Sequence, residues 1–231
     1  MNRPDHRPGA AAAGALRLIG RSSSHYTRIV RMLAHELDLP LELEVVHDLT
    51  RLDAAHYGGN PALRVPVLRV GGSALWGTEH ICRHLVERAG RIGDPRIVLT
   101  EQLRDERLRN AQELVWHAMA AQVQLRVGLA VNQLPADNPF FVKIRTGLAA
   151  ALAWLDARLD DALGRLPTPR DVSLLEVSLY CLIEHLAFLP TVALDPYPRL
   201  RGFARDYGVR DSARRTPLHF DPRPHARQEA S

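Results

Sequence analysis

The chain has 231 residues, and 46% of them are hydrophobic, which is enough for a packed core and too many for a disordered protein. No apolar run approaches the ~20 residues that a membrane-spanning helix needs. The net charge of +4 comes from an arginine-rich region after Tyr197, which lacks the interleaved aromatic residues of a nucleic-acid-binding surface. We therefore expect a folded protein that binds neither membrane nor nucleic acid.

Hydrophobic periodicity in the first 90 residues predicts a β-α-β-α-β-β-α series. The predicted elements cover residues 15–20, 24–39, 41–46, 50–56, 65–70, 73–76 and 77–89. Gly71 and Gly72 separate two apolar runs and indicate a tight hairpin. We expect the first two strands, joined by a helix, to be parallel and the last two to be antiparallel.

After a short linker, the pattern is helical throughout. Predicted helices cover residues 98–131, for which a break near Gly128 is left open, and then 140–163, 173–189 and 197–207. Ser173 and Glu176 have the spacing of a capping box at a helix start. The chain is thus expected to comprise a disordered tail, an α/β domain, a linker, an all-helical domain and a second disordered tail, at residues 1–14, 15–90, 91–97, 98–221 and 222–231.

Two short segments of the α/β domain together indicate a ligand site. Ser22, Ser23 and Ser24 open the first helix and supply hydroxyls next to free backbone N–H groups. Pro66 lies between two apolar runs, where it gives no N–H to a sheet, and a cis bond there would present the backbone of Val65 to a ligand. Side by side, these segments would hold a peptide-like thiol and favour its thiolate.

Signatures of other chemistries are weak in this sequence. Cys82 and Cys181 lie far apart and form no Cys-x-x-Cys, so two reduced, buried thiols are expected. His80 and His84 have a chelating spacing on one helix, but no third ligand is evident, so no metal is expected. Neither a nucleophile elbow nor a nucleotide-binding glycine motif occurs, which leaves hydride and nucleotide chemistry unsupported.

Five motifs, taken in their order and spacing, resemble those of the glutathione transferase superfamily. They are Ser24-His25-Tyr26-Thr27-Arg28, Asn60-Pro61 followed by Arg64-Val65-Pro66-Val67-Leu68, Leu75-Trp76-Gly77-Thr78, Ser173-x-x-Glu176, and Tyr197-Pro198-x-Leu200. The resemblance spans about residues 15–221. It implies an α/β thioredoxin-like domain that binds glutathione, followed by an all-α helical bundle domain, with a bacterial-type, serine-type active site.

The resemblance assigns glutathione-binding roles to particular residues. It implies that Val65 pairs with the cysteinyl backbone of glutathione beside the cis proline Pro66, and that Thr78 holds the γ-glutamyl end. The family commonly has an acidic residue where this chain has Gly77, so Glu79 is a candidate substitute from a shifted position. The group that holds the glycine carboxylate is left open among His47, Arg51, His56 and Arg64.

The resemblance also implies a catalytic residue and a substrate pocket. Ser24 matches the family's serine and would donate a hydrogen bond to the glutathione sulfur, with His25 in place of the usual proline. Tyr26 is a rival donor, because some members use tyrosine. Tyr26, Trp116 and His117 are the candidate residues of the pocket for the second substrate.

The implied function is that of a glutathione transferase, an enzyme that conjugates glutathione, as co-substrate and without a metal, to a small hydrophobic electrophile. Such an enzyme serves detoxification and is usually a homodimer, and without an export signal it is expected in the cytoplasm. Two alternatives stay open: a non-catalytic binding or regulatory module of the same fold, and a glutathione-dependent isomerase, dehalogenase or peroxidase.

Overall fold

The computed structural model describes residues 16–223, so most of both predicted disordered tails lies outside the described residues. The strands are β1 (Leu16–Gly20), β2 (Leu41–Val45), β3 (Val67–Val70), β4 (Ser73–Trp76), β5 (Ile97–Val98) and β6 (Val172–Ser173). The α-helices are α1 (His25–Glu36), α2 (Thr78–Arg88), α3 (Glu106–Leu125), α4 (Pro139–Arg165), α5 (Leu174–Phe188), α6 (Pro198–Tyr207) and α7 (Asp211–Arg215). Short 3₁₀-helices occur at Ala54–Tyr57 and Thr100–Gln102.

The α/β domain is a four-stranded mixed sheet with the strand order β2-β1-β3-β4. Strand β1 is parallel to β2 and antiparallel to β3, and β3 is antiparallel to β4. The predicted β-α-β-α-β-β-α order and the strand directions are confirmed, because a helical connection brings β2 back parallel to β1 and the Gly71-Gly72 turn reverses the chain.

Helix α1 packs closely against the sheet through an apolar stripe. Ile29 and Leu33 of α1 and Leu18 of β1 are essentially fully buried. Gly20 permits the close approach of the β1 end to α1, because a Cβ atom there would lie 2.6 Å from the side chain of Thr27. The serine turn, residues 21–24, joins β1 to α1 and is therefore held tightly between the sheet and that helix.

One apolar core continues from the sheet into the helical domain. Helix α5 lies at its centre, with Val177 and Leu182 fully buried, and it packs against α1. The Sγ atom of Cys181 lies 3.6 Å from the Sδ atom of Met32 across this contact. Cys181 and Cys82 are both buried and free, which confirms the prediction of two buried thiols.

The prediction of a helix over 98–131 is wrong at its start. The linker runs into β5, which pairs in parallel with β6, and α3 begins only at Glu106. At the other end, the helix reaches Val131 as predicted, and its last turn, Arg126–Val131, is a π-helix that passes Gly128 without a break. Gly128 is required there because the ring of Phe141 lies against the position that a Cβ atom would occupy.

The predicted capping box at the start of α5 is also wrong. The Glu176 carboxylate accepts hydrogen bonds from Nε and Nη2 of Arg170, both at 2.8 Å. Two charge-assisted bonds to a guanidinium are stronger than one to the Ser173 N–H. The hydroxyl of Ser173 has no partner among residues 16–223.

No helix within residues 16–223 combines the length and the apolar character that crossing a bilayer requires.

Candidate functional site

One end of the sheet brings three chain segments together. Ile19 of β1 lies opposite Val67 of β3, and Val67 lies opposite Trp76 of β4. The chain therefore leaves β1, enters β3 and leaves β4 at the same end of neighbouring strands. The segments that meet there are residues 21–24, 65–66 and 77–78.

Ser24 is the N-cap of α1. Its Oγ atom accepts a hydrogen bond from the backbone N–H of Thr27 at 3.2 Å. The hydroxyl proton stays available to a ligand, and Ser24 is only half-buried. Helix α1 is described in full, and no acidic side chain lies in its first turn. The positive end of its dipole is therefore not neutralised within that turn. This arrangement favours an anion beside Ser24.

The two serines before it are turned into the protein. Ser22 is buried, and its backbone N–H donates to Oδ2 of Asp221 at 2.9 Å. Its hydroxyl accepts from Nη1 of Arg31 at 3.5 Å, and Ser23 is buried as well. Of the three serines, Ser24 is therefore the one whose hydroxyl a ligand reaches most readily.

The peptide bond between Val65 and Pro66 is cis, as predicted. Within residues 16–223, no backbone group pairs with the N–H or C=O of Val65, because β3 begins only at Val67. The buried Asn60 holds the preceding loop, since its Nδ2 atom donates to the carbonyl of Arg64 at 2.9 Å. Val65 thus presents unpaired backbone groups at the same end of the sheet as Ser24.

Thr78 is the first residue of α2 and is half-buried. Gly77 precedes it at a φ of +89° and provides no side-chain cap. The first backbone N–H groups of α2 therefore have no capping acceptor from this residue, which suits a ligand carboxylate. Glu79 follows in the same turn and is also half-buried.

Tyr26 and Trp116 form one wall at this end of the molecule. Their rings are stacked with centroids 6.2 Å apart and planes within 9°. Burial raises the pKa of Tyr26 to about 12, although the charge of Arg64 acts in the opposite direction. The phenol is therefore neutral at physiological pH. The side chain of the neighbouring His117 is 69% exposed and pairs with Glu113 at 3.1 Å.

Comparison with known proteins agrees with this geometry. Residues 23–88 match the sequence model of the family described as "Glutathione S-transferase, N-terminal domain".

This chain has the fold of a glutathione transferase.

Three crystal structures illustrate the likeness. A glutathione transferase family member from Pseudomonas fluorescens Pf-5, with bound glutathione, is 23% identical, covers 89% of this chain and 100% of its own, and has a TM-score of 0.72. A glutathione S-transferase from Methylobacterium radiotolerans, in complex with glutathione sulfonate, is 21% identical over 92% and 100%, with a TM-score of 0.71. One from Methylobacillus flagellatus with glutathione bound is 20% identical over 89% and 100%, with a TM-score of 0.70. No curated protein is significantly similar in sequence.

In this glutathione transferase fold, the four basic residues that are candidates for binding the glycine carboxylate differ in exposure and in hydrogen bonding. Arg64 is exposed, directly precedes Val65 and is close enough to Tyr26 to affect its pKa. Nε2 of His56 lies 2.8 Å from the carbonyl oxygen of Asp48 and is engaged there. The remaining two are His47, which is half-buried, and Arg51, which is exposed.

Sequence reasoning missed a buried histidine pair behind the serine turn. The rings of His25 and His185 lie 4.1 Å apart, and Nε2 of Gln122 lies 3.2 Å from Nδ1 of His185. Burial lowers the pKa of His25 well below 6.5, and His185 adds to that effect. Burial also lowers the pKa of His185 to about 4, with the Ser23 backbone opposing. Both rings are neutral at pH 7. The one signal in the sequence was His25 in the position of the family's proline.

The spacing of His80 and His84 does not produce a metal centre in the described residues. Cys82, between them, is fully buried, whereas His80 is exposed and His84 is half-buried. No group of three or more candidate metal ligands occurs within residues 16–223.

Proposed function

We propose that this protein is a glutathione S-transferase that conjugates glutathione to a small hydrophobic electrophile. The observation that carries the proposal is the meeting of Ser24, Val65 and Thr78 at one end of the sheet, next to the wall formed by Tyr26 and Trp116. The glutathione-bound relatives of the same fold support it.

In this proposal, Ser24 stabilises the glutathione thiolate and is not itself a nucleophile. A free thiol has a pKa near 8.5, and lowering it by about two units takes ~2.7 kcal/mol. A hydrogen bond from the Ser24 hydroxyl to the anion contributes ~1.5–3 kcal/mol, and the helix dipole adds ~0.3–1 kcal/mol. These two contributions are sufficient, so the anion is available at neutral pH for attack on the electrophile.

The remaining groups of glutathione would be held by residues of the same sheet end. We assign the cysteinyl backbone to the free N–H and C=O of Val65, beside Pro66. The γ-glutamyl carboxylate would accept from the hydroxyl and N–H of Thr78 at the start of α2. We assign the glycine carboxylate to Arg64, which is the exposed basic residue next to Val65.

Gly77 favours a second candidate function, because the γ-glutamyl ammonium has no carboxylate at that position. Glu79 is the acidic group nearest in sequence, and it lies in the same first turn of α2. If Glu79 does not take this role, glutathione binding is weak and the chain acts as a binding or regulatory module on the same fold. Measured affinity for glutathione separates the two candidates.

The deciding experiment is calorimetric titration of glutathione at pH 7 into the wild type, Thr78→Ala and Thr78→Ser. Loss of one hydrogen bond to a carboxylate costs ~1.5–3 kcal/mol, so Thr78→Ala should weaken binding by about tenfold or more. Thr78→Ser keeps the hydroxyl and should bind like the wild type. Absence of binding to the wild type at millimolar glutathione would rule out the transferase and leave the module.

We also propose a cytoplasmic homodimer with a role in detoxification. Large apolar side chains are exposed where α3 connects to α4, and a second copy of the chain would bury such surface. They are Val127, Val131, Leu134, Phe140 and Val142. Light scattering at micromolar concentration tests the dimer, and a monomeric mass would contradict it.

A further inference from the structure

A cavity of about 410 Å³ lies beside α1. Helices α1 and α5 form its walls, together with α7 and the segment that follows it. The lining combines apolar side chains, among them Ala187, Phe188, Pro217 and Leu218, with the polar side chains of Arg28, Tyr180, Glu184 and Arg214. Nothing in the proposed transferase reaction uses this space.

Arg28 lies in the wall of the cavity with only 3% of its side chain exposed. Its Nη2 atom donates to the hydroxyl of Tyr180 at 3.1 Å and to the carbonyl of Ala213 at 3.3 Å. Among the described residues, no oxygen accepts a hydrogen bond from its Nε or Nη1 atoms. The Glu184 carboxylate is 3.8 Å from Nη1, too far for a hydrogen bond. A buried cation whose N–H groups lack hydrogen-bond acceptors costs free energy, and an acceptor from a ligand would offset that cost.

The cavity is distinct from the candidate glutathione site. Tyr26 and Arg28 are two residues apart on α1, so their side chains leave the helix about 200° apart around its axis. Tyr26 faces Trp116 of α3, whereas Arg28 faces Tyr180 of α5. No residue that lines the cavity belongs to the segments at the sheet end.

We propose that this cavity is a second ligand site, which binds a small monocarboxylate with an apolar body. The carboxylate would accept from the unused N–H groups of Arg28, and the body would contact Phe188 and Leu218. Glu184 argues against a more highly charged anion such as a phosphate dianion, because its carboxylate lies beside the same guanidinium. Its side chain is 39% exposed, so it can turn toward solvent when a ligand enters.

The test uses phenylacetate as the probe, titrated by calorimetry at pH 7 in saturating glutathione. The neutral analogue 2-phenylethanol is the matched ligand control and should show at least tenfold weaker binding. Glu184→Gln removes the competing carboxylate and should tighten phenylacetate binding by roughly tenfold. Leu218→Trp fills the cavity and should abolish phenylacetate binding while glutathione affinity is unchanged.

Circular dichroism confirms that each variant is folded, and Glu184→Gln decides the question if Leu218→Trp is not. The proposal is overturned if phenylacetate does not bind the wild type at millimolar concentration, or if it competes with glutathione. Equal affinity of the wild type and Glu184→Gln would overturn it as well. None of these outcomes depends on transferase activity, so the proposed function and the second site fail independently.

Discussion

Tyr26 stacks on Trp116 with ring planes only 9° apart, and this contact joins the start of α1 to the middle of α3. The end of the sheet and the helical domain therefore both contribute to one aromatic surface. In the proposed reaction, a group bound at Ser24 would face this shared surface, and the second substrate would lie there.

Tyr26→Phe should leave conjugation nearly unchanged, because phenylalanine keeps the stacking on Trp116. In the proposed reaction the Tyr26 ring only lines the pocket, and its hydroxyl takes no part. Tyr26→Ala should raise the KM for an aryl halide such as 1-chloro-2,4-dinitrobenzene, with little effect on glutathione affinity. Steady-state kinetics with each substrate varied in turn provides the measurement. A large fall in kcat for Tyr26→Phe would instead make the phenol the sulfur's hydrogen-bond donor.

Ser24→Ala should lower kcat at neutral pH by on the order of tenfold to a hundredfold, because the thiol of bound glutathione ionises less. It also removes the cap of α1, which costs about 1 kcal/mol of stability. Ser24→Asp separates the two roles, since a carboxylate caps the helix but cannot donate to a thiolate. Ser24→Thr should restore both. The pH at which bound glutathione ionises, followed by thiolate absorbance, would show no change between wild type and Ser24→Ala if the catalytic role lies elsewhere.

Gly77→Asp should tighten glutathione binding and destabilise the fold. The new carboxylate would lie near the γ-glutamyl ammonium and strengthen binding by roughly tenfold. The backbone at position 77 has a φ of +89°, where an L-residue costs about 1–3 kcal/mol. Urea unfolding measures that cost.

Gly72→Asp is the matched control for Gly77→Asp, because it adds the same charge at an exposed position without a positive φ. It should change neither stability nor affinity appreciably. Equal stability of the two variants would show that Gly77 is not required by its backbone conformation.

Stability should fall as the pH drops below about 6.5, because His25 and His185 are buried in the neutral form. Their pKa values are lower in the folded than in the unfolded protein, so the unfolded chain binds more protons in this range. Acid therefore stabilises the unfolded chain relative to the folded protein. Each histidine removes up to about 1.4 kcal/mol between pH 6.5 and 5.5. For His185 the loss continues to about pH 4, where the folded protein also binds the proton.

Urea unfolding at pH 7.5 and 5.5 measures this loss for the wild type and for His185→Gln. The variant keeps a polar group toward Gln122 but loses one titrating ring, so its stability should depend about half as strongly on pH. A wild type equally stable at both pH values would contradict the burial of uncharged histidines.

The local sequence determined the α/β domain because its signals act over a few residues. The Gly71-Gly72 turn fixed the hairpin, the helical stripe after Ser24 fixed the connection between the parallel strands, and Val65-Pro66 marked the cis bond. The cap at Ser24 is also local, since its acceptor and donor lie three residues apart.

Tertiary structure decided whatever depends on partners distant in the chain. His25 becomes a neutral ring because the fold buries it, and His185 of α5, which packs on it, adds to the lowering of its pKa. Ser24 is the accessible serine because Asp221 and Arg31 engage Ser22. These pairings bring together residues separated by up to 199 positions, and burial and charge at such distances leave no pattern in the local sequence.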